Sequence, residues 1–573
     1  YKIALLVHRV FLSLASTRLM VMPNVRLAMA QTNPIVGDIS GNLQLCFEAV
    51  ESAARQGANI VAFGEMSLTG YSIEDLALDS SFLAQSEQAV DALAKRLLDA
   101  GHGQIAVVVG HAAKSKNTPI GSWAIAQNCA SVCMNGRVTG RYAKHHLPNY
   151  SVFDEYRNFI PGNELLSFEH LGLRFSTVIC EDIWQSGGPV SEIKAANTDV
   201  TLVLNGSPFE IDKGDRRLDL IVDLAKTQNT AVAYINLVGG QDDLVFDGDS
   251  LIVDANGALV ARAKQFEADL VFIDIESKNS LSALHDHPLK KKDNDWQIWN
   301  ALVLGLRDYV GKNGFSSVIL GLSGGIDSAV CASIAVDALG SDRVFGVAMP
   351  SRYSSAHSLS DAADSAKRLA MKIRTEPIDS MVSAFEQQLG FDGLSAENLQ
   401  ARVRGVILMG LSNSEGHLVL TTGNKTELAV GYSTIYGDSV GGFAPIKDVE
   451  KTLVWQLARW RNQLAESLGE ALPIPENSIS KPPSAELRPD QLDQDSLPEY
   501  DVLDALLDLM IEQRSSTEQM LAAGFDAALI EKISTLVARA EWKRRQGAIG
   551  PKITAMSFGR ERRHPITSKF KRI

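Results

Sequence analysis

Six consecutive residues, Ser323-Gly324-Gly325-Ile326-Asp327-Ser328, bring two hydroxyls, two glycines and a carboxylate together. The apolar run "SVILGL" leads into them, and "SAVCASIAVDAL", with the composition of a buried helix, overlaps their end and leads away. The stretch therefore reads as a strand-to-helix turn. Glycines at such a turn let backbone N–H groups approach an anion, and the helix N-terminus adds a favourable partial charge. Ser323 and Ser328 can donate to phosphate oxygens, whereas Asp327 would repel a bare phosphate. Its presence implies a divalent cation, Mg2+, between carboxylate and phosphate. No lysine follows the glycines, so this is neither the G-x-x-x-x-G-K-[ST] loop nor G-x-G-x-x-G. A plain glycine turn with a serine or aspartate helix cap is the competing reading.

In the first half, three reactive groups end or follow strand-like runs. They are Glu65 in "AFGEMSLTGY", Lys144 in "GRYAKHHLPNYSVFDEYRNFIPG" and Cys180 in "STVICEDIW". A thiol that attacks an amide needs a base to take its proton, and a cation or N–H donors to stabilise the oxyanion. Singly, each residue is ordinary: a buried cysteine is usually packing, and a lone Glu or Lys usually surface. His145 and His146 adjoin Lys144 but read as structural, because Glu65 already supplies a base. A papain-like Cys–His pair would leave Glu65 and Lys144 without a role. Cys129 and Cys133 are four apart with no further ligands nearby, which argues against zinc.

Elements must hold these groups in place. Short apolar runs, "VRLAMA", "NIVAFGE", "QIAVVVGHA", "FSTVICED", "VTLVLNG", "TAVAYINLVGG" and "DSLIVDANG", are separated by helices such as Asn42 to Gln56. This spacing predicts a layered α/β domain from about Val25 to Ile275. A polar segment carrying Lys290 to Lys292 follows as a linker. A second α/β unit begins with "WQIWNALVLGLRDYVGKNG", and later helices are expected at Gln400 to Leu411, Leu453 to Leu468 and Val502 to Gln513. The proline- and acid-rich "PIPENSISKPPSAELRPDQLDQDSLPEYD" reads as a mobile lid. The expected division is 1–22, 23–275, a linker at 276–293, and 294–573.

The 573 residues exceed one comfortable core. A net charge of −13 argues against broad attraction to nucleic acid or an anionic membrane. Five scattered cysteines without a disulfide framework suit a reducing, cytoplasmic compartment. At the N-terminus His8 and Arg9 interrupt the apolar stretch after Lys2, and Arg18 sits where apolarity should persist, which argues against an export signal. Residues 1–22 are expected to be an extension outside the fold, with Met22 a natural start. No segment approaches the ~20 apolar residues of a membrane span.

The complete Ser-Gly-Gly-x-Asp-Ser pattern after a strand resembles the pyrophosphate loop of the ATP pyrophosphatases, which split ATP while adenylating a carbonyl oxygen. Downstream, "TTGNKTELAVGYSTIYGDSVGGFAPIKDVEKT", "KPPSAELRPDQLDQDSLPEYDVLD" and "EWKRRQGAIGPKITAMSFGRERRHPIT" occur in order. With the loop, they resemble the NAD synthetases from Trp296 to the C-terminus. That resemblance implies a Rossmann-like, doubly wound parallel sheet. It also implies that Gly321, Leu322, Ser323, Gly324, Gly325, Ile326, Asp327 and Ser328 hold ATP, with Thr422 and Lys451 beside it. Asn398, Glu427 and Lys543 would contact deamido-NAD, and Asp327 with Glu427 would bind Mg2+. Arg560, Arg562 and Arg563 are expected in phosphate or subunit contacts.

Glu65, Lys144 and Cys180 in their contexts resemble the Glu-Lys-Cys triad of the nitrilase superfamily, over about Val25 to Ile275. This implies an α-β-β-α sandwich with Glu65 as base, Cys180 as nucleophile and Lys144 as the stabilising cation. Tyr150, Ser207 and Lys213 match glutamine-binding positions of the glutaminase branch. The two resemblances together imply that glutamine is hydrolysed through a Cys180 thioester and that ammonia crosses an internal channel. There it would amidate an adenylated deamido-NAD, releasing AMP, in a homo-oligomer. Two alternatives stay open: a carbon–nitrogen hydrolase whose second half senses ATP, and an ammonia-fed synthetase whose first half is structural.

Overall fold

The computed structural model describes residues 24–287, 289–484, 486–488 and 491–569. The expected extension 1–22, with Met22, lies outside the described residues. Among the described residues, fifteen strands build the first half: β1 (Val25–Gln31), β2 (Ile60–Phe63), β3 (Ala106–Lys114), β4 (Ala126–Met134), β5 (Arg137–Ala143), β6 (Leu166–His170), β7 (Leu173–Ile179), β8 (Val200–Asn205), β9 (Ala231–Asn236), β10 (Val238–Gln241), β11 (Leu244–Asp247), β12 (Leu251–Val253), β13 (Leu259–Arg262), β14 (Asp269–Ser277) and β15 (Ser280–Ala283). They form a seven-stranded sheet, β15-β14-β1-β2-β3-β4-β5, a six-stranded sheet, β13-β12-β9-β8-β7-β6, and the hairpin β10-β11.

Alternation along β1 explains the layering. Leu27 and Met29 point into the core shared with Val178, Leu202 and Tyr234 of the second sheet. Ala28 and Ala30 point the other way, against Phe47 and Val50 of the helix Ile39–Arg55 and Leu93 of the helix Ser80–Asp99. β2 and β8 are buried along their whole length, which is why they read as continuous apolar runs. The result is the expected α-β-β-α sandwich. Its sheet continues past residue 275, since Leu281 on β15 pairs with Ile275 on β14. The segment expected as a linker thus begins as a hairpin. β15 is short and only weakly apolar, which hid it.

The second half carries β16 (Val318–Gly321), β17 (Val344–Ala348), β18 (Lys372–Thr375) and β19 (Leu418–Leu420), all parallel, in the order β18-β17-β16-β19. β16 has β17 on one side and β19 on the other, so the loop after it sits where the strand order reverses. The helix expected at Gln400–Leu411 runs from Gly393 to Glu415. The one expected at Val502–Gln513 is Tyr500–Leu507 followed by a wider turn, Asp508–Glu512. Glu512 there ends against Lys425 and takes the Met556 N–H.

The halves meet closely. The helix Asn294–Lys312 lies on β10, where a Cβ on Gly240 would stand 3.0 Å from the Gly305 Cα. Asp308 accepts from Gly240 N and Asn33 Nδ2, both at 2.7 Å. At the other end Ile211 N donates to Ile553 O at 2.9 Å. Among the described residues, no helix is long and apolar enough to cross a membrane.

Candidate active sites

Cys180 stands immediately after β7, at the start of a short turn of 3-10 helix. Its φ of 41° is a left-handed conformation that a side chain seldom adopts, the strained elbow that functional residues tend to occupy. Asp182 locks this turn. One carboxylate oxygen accepts from Ile179 N and Tyr142 Oη at 2.9 and 2.7 Å, the other from His145 N and His146 N at 3.0 and 2.8 Å. The elbow is thereby tied to the chain just past Lys144.

Lys144 and Glu65 are both buried, with Lys144 Nζ 2.8 Å from Glu65 Oε1. Asn128 Nδ2 donates to the same oxygen at 2.6 Å, and Gly206 N donates to Oε2 at 2.8 Å. The second carboxylate on Lys144 is one the sequence reading missed. Glu155 Oε1 takes Lys144 Nζ at 2.9 Å and Tyr71 Oη at 2.8 Å. Against the cost of burial, Glu155 and Glu65 hold the Lys144 ammonium well above its ordinary range. Burial pushes Glu155 itself up. Burial, reinforced by Glu65 and opposed by Lys144, likewise pushes the Cys180 thiol up. The sulfur therefore rests as a thiol and needs a base at the moment of attack.

The expected glutamine positions gather around this centre. Tyr150 Oη donates to Glu181, the neighbour of Cys180, at 2.9 Å, while the ring is half exposed. Ser207 follows Gly206, and its backbone is fixed by Asn236 Oδ1 at 2.9 Å. Lys213 Nζ donates to Pro208 O at 3.2 Å. His145 Nδ1 faces Gly162 O at 2.6 Å, a structural role.

In the second half, a cavity of about 320 Å³ opens above the end of β16. Gly321 to Ser323, Gly325 to Ser328, Thr422, Glu427 and Lys451 line it. Ser328 Oγ donates to Gly325 O at 2.9 Å and lies 3.2 Å from Ser323 Oγ, which orders the turn. Gly324 has φ 80°, and a Cβ there would stand 2.3 Å from Ser358 O, so only glycine fits. Lys451 Nζ bridges Asp327 and Glu427, and Asn424 Nδ2 donates to the other oxygen of Asp327 at 2.9 Å. Burial pushes Glu427 up, with Asp327 adding to this and Lys451 opposing it. The Lys451 ammonium occupies the position between the Asp327 and Glu427 carboxylates; beside an anion loop, these two are the residue type that Mg2+ takes, one or two carboxylates with phosphate and water completing the shell.

Three expected residues do not line this cavity: Gly324, whose backbone packs against Ser358, and Asn398 and Lys543. Asn398 Oδ1 accepts from Thr434 Oγ1 at 2.7 Å, and Lys543 Nζ donates to Gly431 O and Ser433 O at 2.8 and 2.6 Å. Both brace the loop 431–439, part of which lines the cavity. The basic C-terminal cluster, expected at phosphate or a subunit contact, pairs within the chain. Arg562 meets Glu541, Arg560 meets Glu74, and Arg563 meets Asp154 of the first half. Glu541 lies 21 residues from Arg562, but Glu74 and Asp154 lie 486 and 409 residues from their arginines, which concealed those two pairings.

The sequence family of NAD synthases matches residues 298–547, and that of carbon–nitrogen hydrolases matches residues 26–281. The glutamine-dependent NAD(+) synthetase of Acinetobacter baylyi is 46% identical over 555 residues, covering 96% of this chain and 99% of that protein. That of Thermotoga maritima is 39% identical over 589 residues, covering 96% and 100%. The solved glutamine-dependent NAD+ synthetase of Acinetobacter baumannii, in complex with adenosine diphosphate, superposes with a TM-score of 0.74 at 41% identity, covering 96% of this chain and all of that one.

Proposed function

This chain belongs to the family of glutamine-dependent NAD(+) synthetases, and from that premise we propose that it amidates deamido-NAD to NAD with ammonia drawn from glutamine. The observation that carries this reading is the coexistence, in one chain, of the Glu65–Lys144 pair beside the Cys180 elbow and the Ser323–Ser328 turn in its own cavity.

In the first site Cys180 Sγ attacks the side-chain amide carbon of glutamine while Glu65 takes the thiol proton and passes it to the departing ammonia. Lys144 faces the developing oxyanion, and Asn128 with Gly206 N–H keeps Glu65 aimed. Water then releases glutamate from the thioester. Lys213 and Tyr150 suit the charged end of the amino acid. In the second site a carboxylate oxygen of deamido-NAD attacks the α-phosphorus of ATP and pyrophosphate leaves. Ammonia then attacks the acyl carbon and AMP leaves. Asp327 and Glu427 are the carboxylates suited to hold Mg2+, which neutralises phosphate charge when bound. Backbone N–H groups of the 323–328 turn, the two serine hydroxyls and Thr422 orient the phosphates.

Transfer of ammonia inside the protein keeps it unprotonated and spares the adenylate from water. A cavity of about 440 Å³ between the halves shares Arg544 and Phe558 with the synthetase cavity, and shares Asp154 with a small pocket beside Tyr71 and Glu155. These shared walls support such a route. Homo-oligomerisation is supported by Met381, Phe385 and Leu389, exposed 37%, 48% and 53% along one face of the helix Asp379–Leu389. The described part of the segment after Lys481, with Lys481, Glu486 and Leu487 lining the second site, is the lid of this reading, and ATP with deamido-NAD should protect it from proteolysis. Five unpaired cysteines suit the cytoplasm.

The deciding experiment is NAD formation from deamido-NAD, ATP and Mg2+, with glutamine or ammonium chloride, for wild type and Cys180→Ala. Both proteins should use ammonium and only the wild type glutamine. If neither donor yields NAD, the chain is an ATP-sensing amidase.

A further inference from the structure

Arg404 is the cation in the synthetase cavity whose charge is least accounted for. Of the others there, Lys451 pairs with Asp327 and Glu427, Lys481 with Glu486, and Arg544 with Glu541. Lys447 Nζ donates to Ala548 O at 2.8 Å and turns toward the domain boundary and Asp243. Among the described residues Arg404 makes one side-chain hydrogen bond, Nε to Met349 O at 3.0 Å, and no ion pair with a carboxylate. Burial holds its guanidinium below the usual arginine range. The acids closest in effect, Glu486, Asp438 and Asp379, are each engaged elsewhere, by Ser358, by the Thr434 N–H and by Arg352.

Its placement is equally specific. Ala401, Arg404 and Leu408 present one face of the helix Gly393–Glu415 to the cavity. A Cβ on Gly321, at the start of the anion turn, would lie 3.2 Å from Met349 Cε and 3.8 Å from Leu408 Cδ1. The residue that anchors Arg404 and the residue one turn beyond it therefore both abut the strand end from which the turn springs. A partly buried guanidinium without a protein anion carries a desolvation cost that a ligand anion would offset.

We propose that Arg404 is a substrate-binding residue whose guanidinium grips a phosphate of the phosphoanhydride in one of the two nucleotide substrates, ATP or deamido-NAD. This rests on the synthetase reading of the cavity. The test is calorimetric titration of the full chain with ATP, deamido-NAD and NAD, for wild type, Arg404→Met, Arg404→Gln and Arg404→Lys. Loss of a charged hydrogen bond should weaken one nucleotide about tenfold or more in the Met and Gln variants, with partial recovery in Lys. A loss confined to ATP assigns the triphosphate. Parallel losses for deamido-NAD and NAD assign the dinucleotide. Weakening of deamido-NAD alone would assign the contact to its carboxylate and overturn the proposal, as would unchanged affinities throughout. Glutamine hydrolysis and the melting temperature without nucleotide report whether each variant is folded. If Met fails there, Gln and Lys decide. Wild type that binds no nucleotide would instead overturn the synthetase reading.

Discussion

Arg563 of the C-terminal segment donates to Asp154 of the first half at 2.6 Å, and Asp154 immediately precedes Glu155, the second carboxylate on Lys144. Three residues earlier Arg560 pairs with Glu74, in the stretch that follows Tyr71, the other partner of Glu155. The synthetase half thus holds both pieces of chain that position Glu155. Removing the hold with Arg563→Ala should lower glutamine-driven NAD formation severalfold and leave the ammonium-driven rate unchanged. The pair is partly exposed, so stability should move by less than about 1 kcal/mol. Equal losses with both donors would show that the contact does not act on the first site.

Glu155 itself makes a sharper test. Glu155→Gln keeps the shape but leaves the buried Lys144 ammonium with Glu65 as its one carboxylate. Glutamine hydrolysis should fall about a hundredfold, as loss of a group that positions acid–base machinery typically gives. Ammonium use should persist. Steady-state rates with the two donors separate these outcomes, and a variant with normal glutamine turnover would reduce Glu155 to a packing residue.

Lys213 offers a pH signature. Burial, then the neighbouring Arg217, lowers it to about 8 from the model-peptide value of 10.5. Above that pH the folded protein loses the ammonium suited to glutamine, so kcat/KM for glutamine should fall as pH rises through about 8. Lys213→Met should start low and lose this inflection. Between about 8 and 10.5 the unfolded chain keeps a proton the folded chain has released, so this group makes stability rise with pH across that window. Its stabilising effect is complete above 10.5 and lost as pH falls through about 8. The check is a pH profile of glutaminase kinetics beside denaturant titrations.

The contrast between what could and could not be read in the sequence follows contact range. Buried strands such as "VTLVLNG" declare themselves by composition, and the Ser323–Ser328 turn declares itself because its partners are its own neighbours. Glu155 does not. It opens a four-residue helix, Glu155–Asn158, after Asp154 in a polar stretch, and its partners are Tyr71, 84 residues away, and Lys144, 11 away. The available signal was the single glutamate in the quoted stretch after Lys144. Arg404 resembled an ordinary helix-surface residue until the helix was seen to form a cavity wall. Asn398 and Lys543 were drawn from motif position, and their side chains bond the loop 431–439, through Thr434, Gly431 and Ser433.

Gly324 tests the anion turn without touching any side chain that carries charge. Its φ of 80° disfavours every other residue, and the added Cβ of Gly324→Ala would meet backbone, Ser358 O at 2.3 Å, which cannot swing aside as a side chain would. The turn must shift, at a cost on the order of 1–3 kcal/mol, and its N–H groups move off the phosphates. NAD formation should then fail with glutamine and with ammonium alike while glutamine hydrolysis survives, the reverse of Cys180→Ala. Gly311→Ala is the matched control: it lies in a helix with nothing within 4 Å of its Cβ, and should stabilise the protein by about 0.5–1 kcal/mol. If Gly324→Ala retained ammonium-driven synthesis at the control's rate, the 323–328 turn would not be the site that grips ATP.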